Sequence, residues 1–395
     1  MKTPEKIKTN KKASAIILAV FAIVILFLIG LALLSLGFNS RMTAIRTTAQ
    51  ISARCAADAG ITQAIKLMNK KIEDEVVWNN STLPSAADVV IDESTNASFS
   101  FTVTGNPTAG FQIDSEGKLG QATKTIHTLL RIGSIWETSI NLQDEAIMNN
   151  GIQISQIPSD CPFTLRTNST ADNAIILKAG VTIPGDIIVG PGGVPSDVID
   201  TKQTTEITGQ TYPAAEPMIF PPVLPPTGLP NMVSISASSP AQLNSGEYSS
   251  IEVSDSLTVN GNCTVYVTGP FILKVGGSLI TPPGSSLNLY LGGNLESKNS
   301  VGMDNQTNDA TALKIYGLPT CTQIDIKAKS GLFYGAVYAP NAILTMFNSS
   351  EIFGAFACDS VILKNSCNFH YICELGNVGI NDPTATIKPV RWWEP

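Results

Sequence analysis

Charge is scarce in this chain, and histidine scarcer still. Asp, Glu, Lys and Arg make up 14 % of the 395 residues, and the only histidines, His127 and His370, lie far apart. The patterns GxSxG, HExxH, GxGxxG and the P-loop are all absent, so nothing supports a nucleophile elbow, a zincin helix, a dinucleotide turn or a phosphate cradle. Cys367, His370 and Cys373 have a metal-like spacing, but in a strand His370 faces away from the two cysteines, and no metal is expected. Asp304 and Asp309 sit in a polar loop, MDNQTND, whose spacing fits no EF-hand. Between residues 141 and 376 the acids are scattered and Arg166 is the only arginine. No catalytic, metal or cofactor residue is therefore assigned, and the chain is read as non-enzymatic. Formal net charge is −7, and residues 1–12 alone carry +4, leaving an acidic remainder that lacks the clustered Lys and Arg that phosphate binding needs. Nucleic acid is excluded as a partner.

One thing present in abundance is an apolar run. Residues 13–38 contain no charged side chain, and as a helix would extend about 39 Å, enough to span a bilayer with some tilt. The lysines of the 1–12 tail keep that end in the cytoplasm and send the bulk of the chain outward. Export from a bacterial inner membrane to the periplasm or cell surface makes Cys161, Cys263, Cys321, Cys358, Cys367 and Cys373 candidate disulfide cysteines, with the pairing open and small buried residues as the plain alternative. Over residues 39–72 apolar side chains recur at steps of three and four, with Arg46, Gln50, Arg54, Asp58 and Lys66 on the other face. No proline interrupts. The expectation is one helix from about residue 14 to 72, a membrane span continued as an amphipathic stem.

These residues resemble a family. Lys-Lys-Ala-Ser before the apolar run, then RMTAIRTTAQISARCAADAGITQAI with Ala57-Asp58-Ala59-Gly60 at its centre, resembles the PilX-type N-terminal segment of type IV pilus assembly proteins, the minor pilins. The resemblance covers residues 10–72. It implies other pilin-like subunits as partners through this helix, and makes Ala13 and Ser14 the candidate prepilin-like processing point. Two departures stand out: Ala13 replaces the usual Gly, and the apolar run has no acid until Asp58, where filament-core pilins carry an early Glu.

Residues 73–140 read as a small pilin-like β region, with ASFSFTVT at 97–104 and strands at 124–132 and 135–142, separated by a turn spanning 105–120. It is expected to form an antiparallel sheet on the stem. Across 141–376, short apolar runs recur every seven to twelve residues without helical windows, which fits a parallel β-helix, with a β-sandwich as the alternative. Residues 207–231 are crowded with proline and read as a surface strap. The pieces GDIIVGPGG, YAPNA, FGAFA and FHY resemble an uncharacterised β-helical domain that follows PilX-type stems in bacterial surface proteins. Residues 377–395 read as a C-terminal tail in which Trp392 and Trp393 anchor a partner or cap the β-helix.

The fold expected is thus mainly β with a long N-terminal helix. The function expected is that of a pilin-like surface protein, either a type IV pilus minor pilin or a membrane-anchored β-helical display protein for adhesion. Its surface ligand would be a polysaccharide, or a host or neighbouring cell. The alternatives are a membrane-tethered carbohydrate-active enzyme and a pseudopilin of a secretion system.

Overall fold

The computed structural model describes residues 11–74, 78–92, 96–298, 302–327, 332–347, 351–364 and 367–394. The expected basic tail lies outside the described residues except for Lys11 and Lys12. The chain divides into two compact units, one holding residues up to Met68, Asn80–Leu130 and Pro389 onward, the other Asn69–Asn79 and Arg131–Lys388.

A single helix runs from Lys11 to Asp74 and has two unlike halves; up to Met68 it belongs to the first unit, and Asn69 onward to the second. Its stretch from Leu18 is apolar enough to cross a membrane (mean hydropathy 3.0), and none of the most apolar window is buried. Further on, Ala53, Ala56, Ala57, Ile61, Ala64 and Met68 are buried, and their steps of one, three and four trace one helix face. That face rests on a sheet whose antiparallel strands Ser85–Asp92, Ala97–Asn106, Gly110–Leu119 and Ala122–Ser134 follow in order, with Ala385–Trp393 on the far edge. Inward positions alternate as the pleat requires: Phe99, Phe101 and Val103, then Phe111, Ile113 and Ser115, then Ile126, Thr128 and Leu130.

Two readings are corrected here. The turn expected over 105–120 is confined to the residues before Gly110, and Gly110–Leu119 is a full strand. Its alternation is muted in the sequence because the inward positions facing the helix are small, Ser115 and Gly117. The segment read as a C-terminal tail supplies the fifth strand, so Trp392 and Trp393 belong to a sheet edge.

The second unit is a parallel coil of three strands per turn, the topology of a parallel β-helix; the sandwich alternative needs antiparallel pairing that these strands lack. On one face, strands pair in the order Gly246–Tyr248, Asn262–Val267, Ser286–Leu291, Leu313–Gly317, Leu332–Met346, Glu351–Leu363, Ile140–Leu142, Thr164–Thr167, Asp186–Val189, Thr211–Pro213. Their inward side chains make a continuous column, with Val265, Leu289, Ile315, Val337, Phe356, Ile140, Leu165 and Ile187 in register and buried. Each such side chain contributes about 1.5–3 kcal/mol of burial free energy.

This order is not the order of the sequence. The chain enters the stack in its middle at Ile140, winds outward to Pro213, crosses to the opposite end, and winds back from Asn231 until Glu351–Leu363 pairs with Ile140–Leu142. The coil therefore contains a seam where the first winding meets the second. The proline-rich strap makes the crossing. Ten inter-strand steps of about 4.8 Å separate Pro213 from Asn231, roughly 48 Å, and the intervening chain as polyproline II reaches about 56 Å at ~3.1 Å per residue. Length and composition thus suit the task. The strap is pinned along the way: Arg166 donates to the Glu216 carbonyl at 2.7 Å, the Asn168 side chain pairs with the Met218 backbone at 2.7 Å, and the Tyr338 hydroxyl donates to the Pro221 carbonyl.

Candidate functional site

The stem motif proves to be a close-packing device. Ala57 is fully buried, and the Ser115 hydroxyl donates to its carbonyl at 2.8 Å. A Cβ on Gly60 would collide with Ser115 and Phe99, and one on Gly117 would collide with the Ala53 carbonyl and the Ala57 amide. Small residues on both partners let helix and strand backbones touch. Asp58 lies at the margin, where burial pushes its carboxyl above the ordinary range and Arg54 opposes the shift. Arg54 itself pairs with Glu394 at 2.8 Å. Ala13 and Ser14 fall within the helix.

At the seam, Cys161 of the first winding is joined to Cys373 of the second, with Cα atoms 6.2 Å apart. Cys263, Cys321, Cys358 and Cys367 are buried thiols in the core, behaving as small apolar side chains. Burial pushes the Cys321 thiol up to about 12 and raises Cys358 further, so neither is a thiolate at neutral pH. Cys373 is committed to its bridge, and His370 points to different neighbours, so the Cys367, His370 and Cys373 set does not converge.

His370 instead joins a row on the outer surface that sequence reasoning missed. Its Nδ1 lies 2.7 Å from the Ser155 hydroxyl and its Nε2 2.7 Å from Glu351, which also accepts from Asn368 at 2.7 Å. Glu351 is held below its ordinary range, first by the His370 hydrogen bond. An ionised carboxylate can only accept, so Nε2–H donates to Glu351, and in the neutral ring Nδ1 is then the acceptor for the Ser155 hydroxyl. The His370 ring stacks on Phe353 and Phe353 on Tyr334, each pair 4.4 Å apart. The relay has a base and an orienting acid, but these strands spend their amides on the parallel ladder. The row ties Ser155 of the first winding to His370 of the second. Only strand register across 215 residues brings them together, and no local sequence signal marks it.

Asp304 and Asp309 are also placed. Asp309 caps the short 3-10 turn Ala310–Ala312 by accepting from the Thr311 amide at 2.8 Å, and Asp304 accepts from Gln306 at 2.9 Å. Among the described residues no cluster of three or more His, Cys, Asp or Glu forms.

A cleft of about 490 Å³ lies beside the strap. Ile219, Pro221, Leu224 and Pro225 form one wall, and Asn381, Pro383 and Thr386 the other. Tyr290 lies within it, stacked on Tyr316 at 4.9 Å. These tyrosines belong to a column, Tyr266, Tyr290, Tyr316 and Tyr338, in strict register, of which Tyr338 bonds the strap and Tyr290 shares the cleft with it. Behind them, Asp382 is paired with Lys314 at 2.7 Å and accepts from the Tyr316 hydroxyl at 3.3 Å. Burial, with Asp382 nearby, pushes the Tyr290 hydroxyl up to about 12, so it stays a neutral donor.

Residues 201–378 match the family described as Domain of unknown function (DUF7305), less than half of the chain. No curated protein matches. Among solved structures the chain is similar to the crystal structure of competence-associated pilin ComZ from Thermus thermophilus, at 9 % identity over 88 % of this chain and 98 % of that one. The TM-score of that likeness is 0.22.

Proposed function

We propose that this is a non-enzymatic, pilin-like surface protein, anchored by its N-terminal helix in the bacterial inner membrane with its bulk exported. The observation that carries the reading is the division of one helix into two chemistries. Residues from Leu18 to Phe38 are apolar and exposed, Leu18 by 74 % and Phe38 by 65 %, while the stretch from Ala53 to Met68 is seated on its own sheet. An exposed apolar half needs lipid or the equivalent halves of neighbouring subunits. Small residues at Ala15, Ala19, Ala22, Gly30 and Gly37 permit such close approach between helices. The coil is then the displayed element. It offers a long, rigid outer surface for adhesion, with no route of chemistry assigned to it.

Sequencing the mature N-terminus and probing sheared surface material test the reading. A start at Ser14, with the protein in the sheared fraction, is expected of a minor pilin. A start at Met1, with the protein retained in the membrane, leaves a display protein on a signal anchor. A protein that is neither membrane-bound nor sheared from the surface overturns both forms.

A further inference from the structure

We propose that the cleft beside the strap is a binding site for a neutral saccharide. Three observations converge on it. The first is its wall. Pro221, Pro222, Pro225 and Pro226 form a rigid, apolar surface that loses little conformational entropy on binding. Proline has no N–H, so these four residues present no backbone donor to the cleft, and the Pro221 carbonyl is already used by the Tyr338 hydroxyl.

The second is unspent polar capacity. The Tyr290 hydroxyl has no hydrogen-bond partner among the described residues. Asn381 accepts from the Trp78 amide at 3.0 Å through Oδ1, leaving its two amide hydrogens to be used. Thr386, also in the lining, has a buried Oγ1 with no partner among the described residues. Asn381 is exposed and Tyr290 half-buried, so their unspent groups are open to a polar ligand, while the Thr386 Oγ1 is a buried group of the kind that is normally satisfied. An apolar surface facing spaced hydroxyl and amide groups complements a pyranose, which has C–H faces and a rim of hydroxyls.

The third is charge. The lining holds no Lys or Arg, and its acids are Asp74 and Asp382, the latter already neutralised by Lys314. Phosphorylated or acidic ligands gain nothing there. The volume of about 490 Å³ falls within the ~300–1,000 Å³ range of small-molecule sites. The proposal is independent of the assembly reading, since every lining residue, including Asn69, Ile72 and Asp74 at the end of the long helix and Ala385 and Thr386 of the edge strand, falls in the second unit.

The test uses the full chain in a detergent without a sugar head group, titrated calorimetrically with cellobiose and N,N′-diacetylchitobiose. A uronic-acid disaccharide and a proline-rich peptide serve as competitors. Saturable binding of a neutral disaccharide is expected, weakened at least tenfold by Tyr290→Phe and by Asn381→Asp. Each variant keeps the packing, and Asn381→Asp keeps the acceptor for Trp78. Tyr266→Phe, on the same column but outside the lining, leaves affinity unchanged. Absence of saturable binding by either neutral disaccharide, or binding indifferent to both cleft variants, overturns the proposal. So does preferential binding of the peptide, which would make the cleft a polyproline groove. Thermal unfolding of each variant separates a lost contact from a lost fold.

Discussion

Cys161 and Cys373 are 212 residues apart in sequence, yet their bridge joins the segments that follow two paired strands, Ile154–Ile157 and Asn368–Ile372. The bond stands at the seam, where Ile154–Ile157 pairs with Asn368–Ile372 and no short loop connects the two. Every other junction of turns is made by chain continuity or by the strap.

Removing this bridge should destabilise the coil more than removing a buried thiol. Closing so long a loop limits the unfolded chain, and losing a disulfide of this kind costs about 2–5 kcal/mol. The double variant Cys161→Ala/Cys373→Ala is expected to unfold at lower denaturant, and Cys263→Ala to shift the midpoint less. Reductant should lower the parent's midpoint and leave the double variant unmoved.

The strap should tolerate substitution better than shortening. Deleting six residues between Pro213 and Asn231 leaves a reach of about 43 Å even at the ~3.6 Å per-residue limit of an extended chain, short of the roughly 48 Å its ends must span. Loss of the Thr211–Pro213 or Gly246–Tyr248 turn is expected, read as new protection losses in hydrogen exchange. Tyr338→Phe removes one hydrogen bond to the strap and should cost only about 0.5–1.5 kcal/mol.

Gly117→Ala should lift the helix from its sheet. The added methyl meets the Ala53 and Ala57 backbone, and Ala56 Cβ at 2.9 Å, and backbone cannot yield as a side chain end can. A cost of about 1–3 kcal/mol is expected. Gly379→Ala, where a Cβ meets nothing within 4 Å, should stay within about 0.5 kcal/mol. Thermal melts of the two variants make the comparison.

Acid should weaken the coil through Glu137. Burial raises its carboxyl pKa, but hydrogen bonds from Arg131 and Lys388 win and hold it below the ordinary value of 4.5. A depressed folded pKa gives stability that is fully present above the unfolded value and lost as pH falls through the folded one. Glu137→Gln should therefore flatten the stability profile below about pH 4.5 relative to the parent, measured by urea melts at stepped pH.

Much of this architecture was legible in the sequence, and the limits have physical causes. The long helix was readable because an unbroken apolar run and three-four spacing are local signals. The coil strands were readable as short apolar runs between turns. The strand Gly110–Leu119 was not, because Ser115 and Gly117 meet the helix where alternation calls for bulk. The edge strand Ala385–Trp393 pairs with a strand some 260 residues earlier, a relation that sequence pattern does not encode. The seam was invisible for the same reason, since parallel pairing fixes register through partners remote in the chain. With it went the Cys161–Cys373 pairing and the contact between Ser155 and His370. The stem motif was legible as Ala57-Asp58-Ala59-Gly60, but its reason, backbone contact with Gly117, needed the fold.

The placement of the seam has a mechanical consequence. Both covalent routes out of the coil, before Ile140 and after Ile372, leave from its middle turns rather than its ends. Tension arriving along either route is received by strands that a disulfide already ties together. The outermost turns, near Thr211–Pro213 and Gly246–Tyr248, lie off both routes. A displayed surface can then keep its shape while the chain that carries it is pulled.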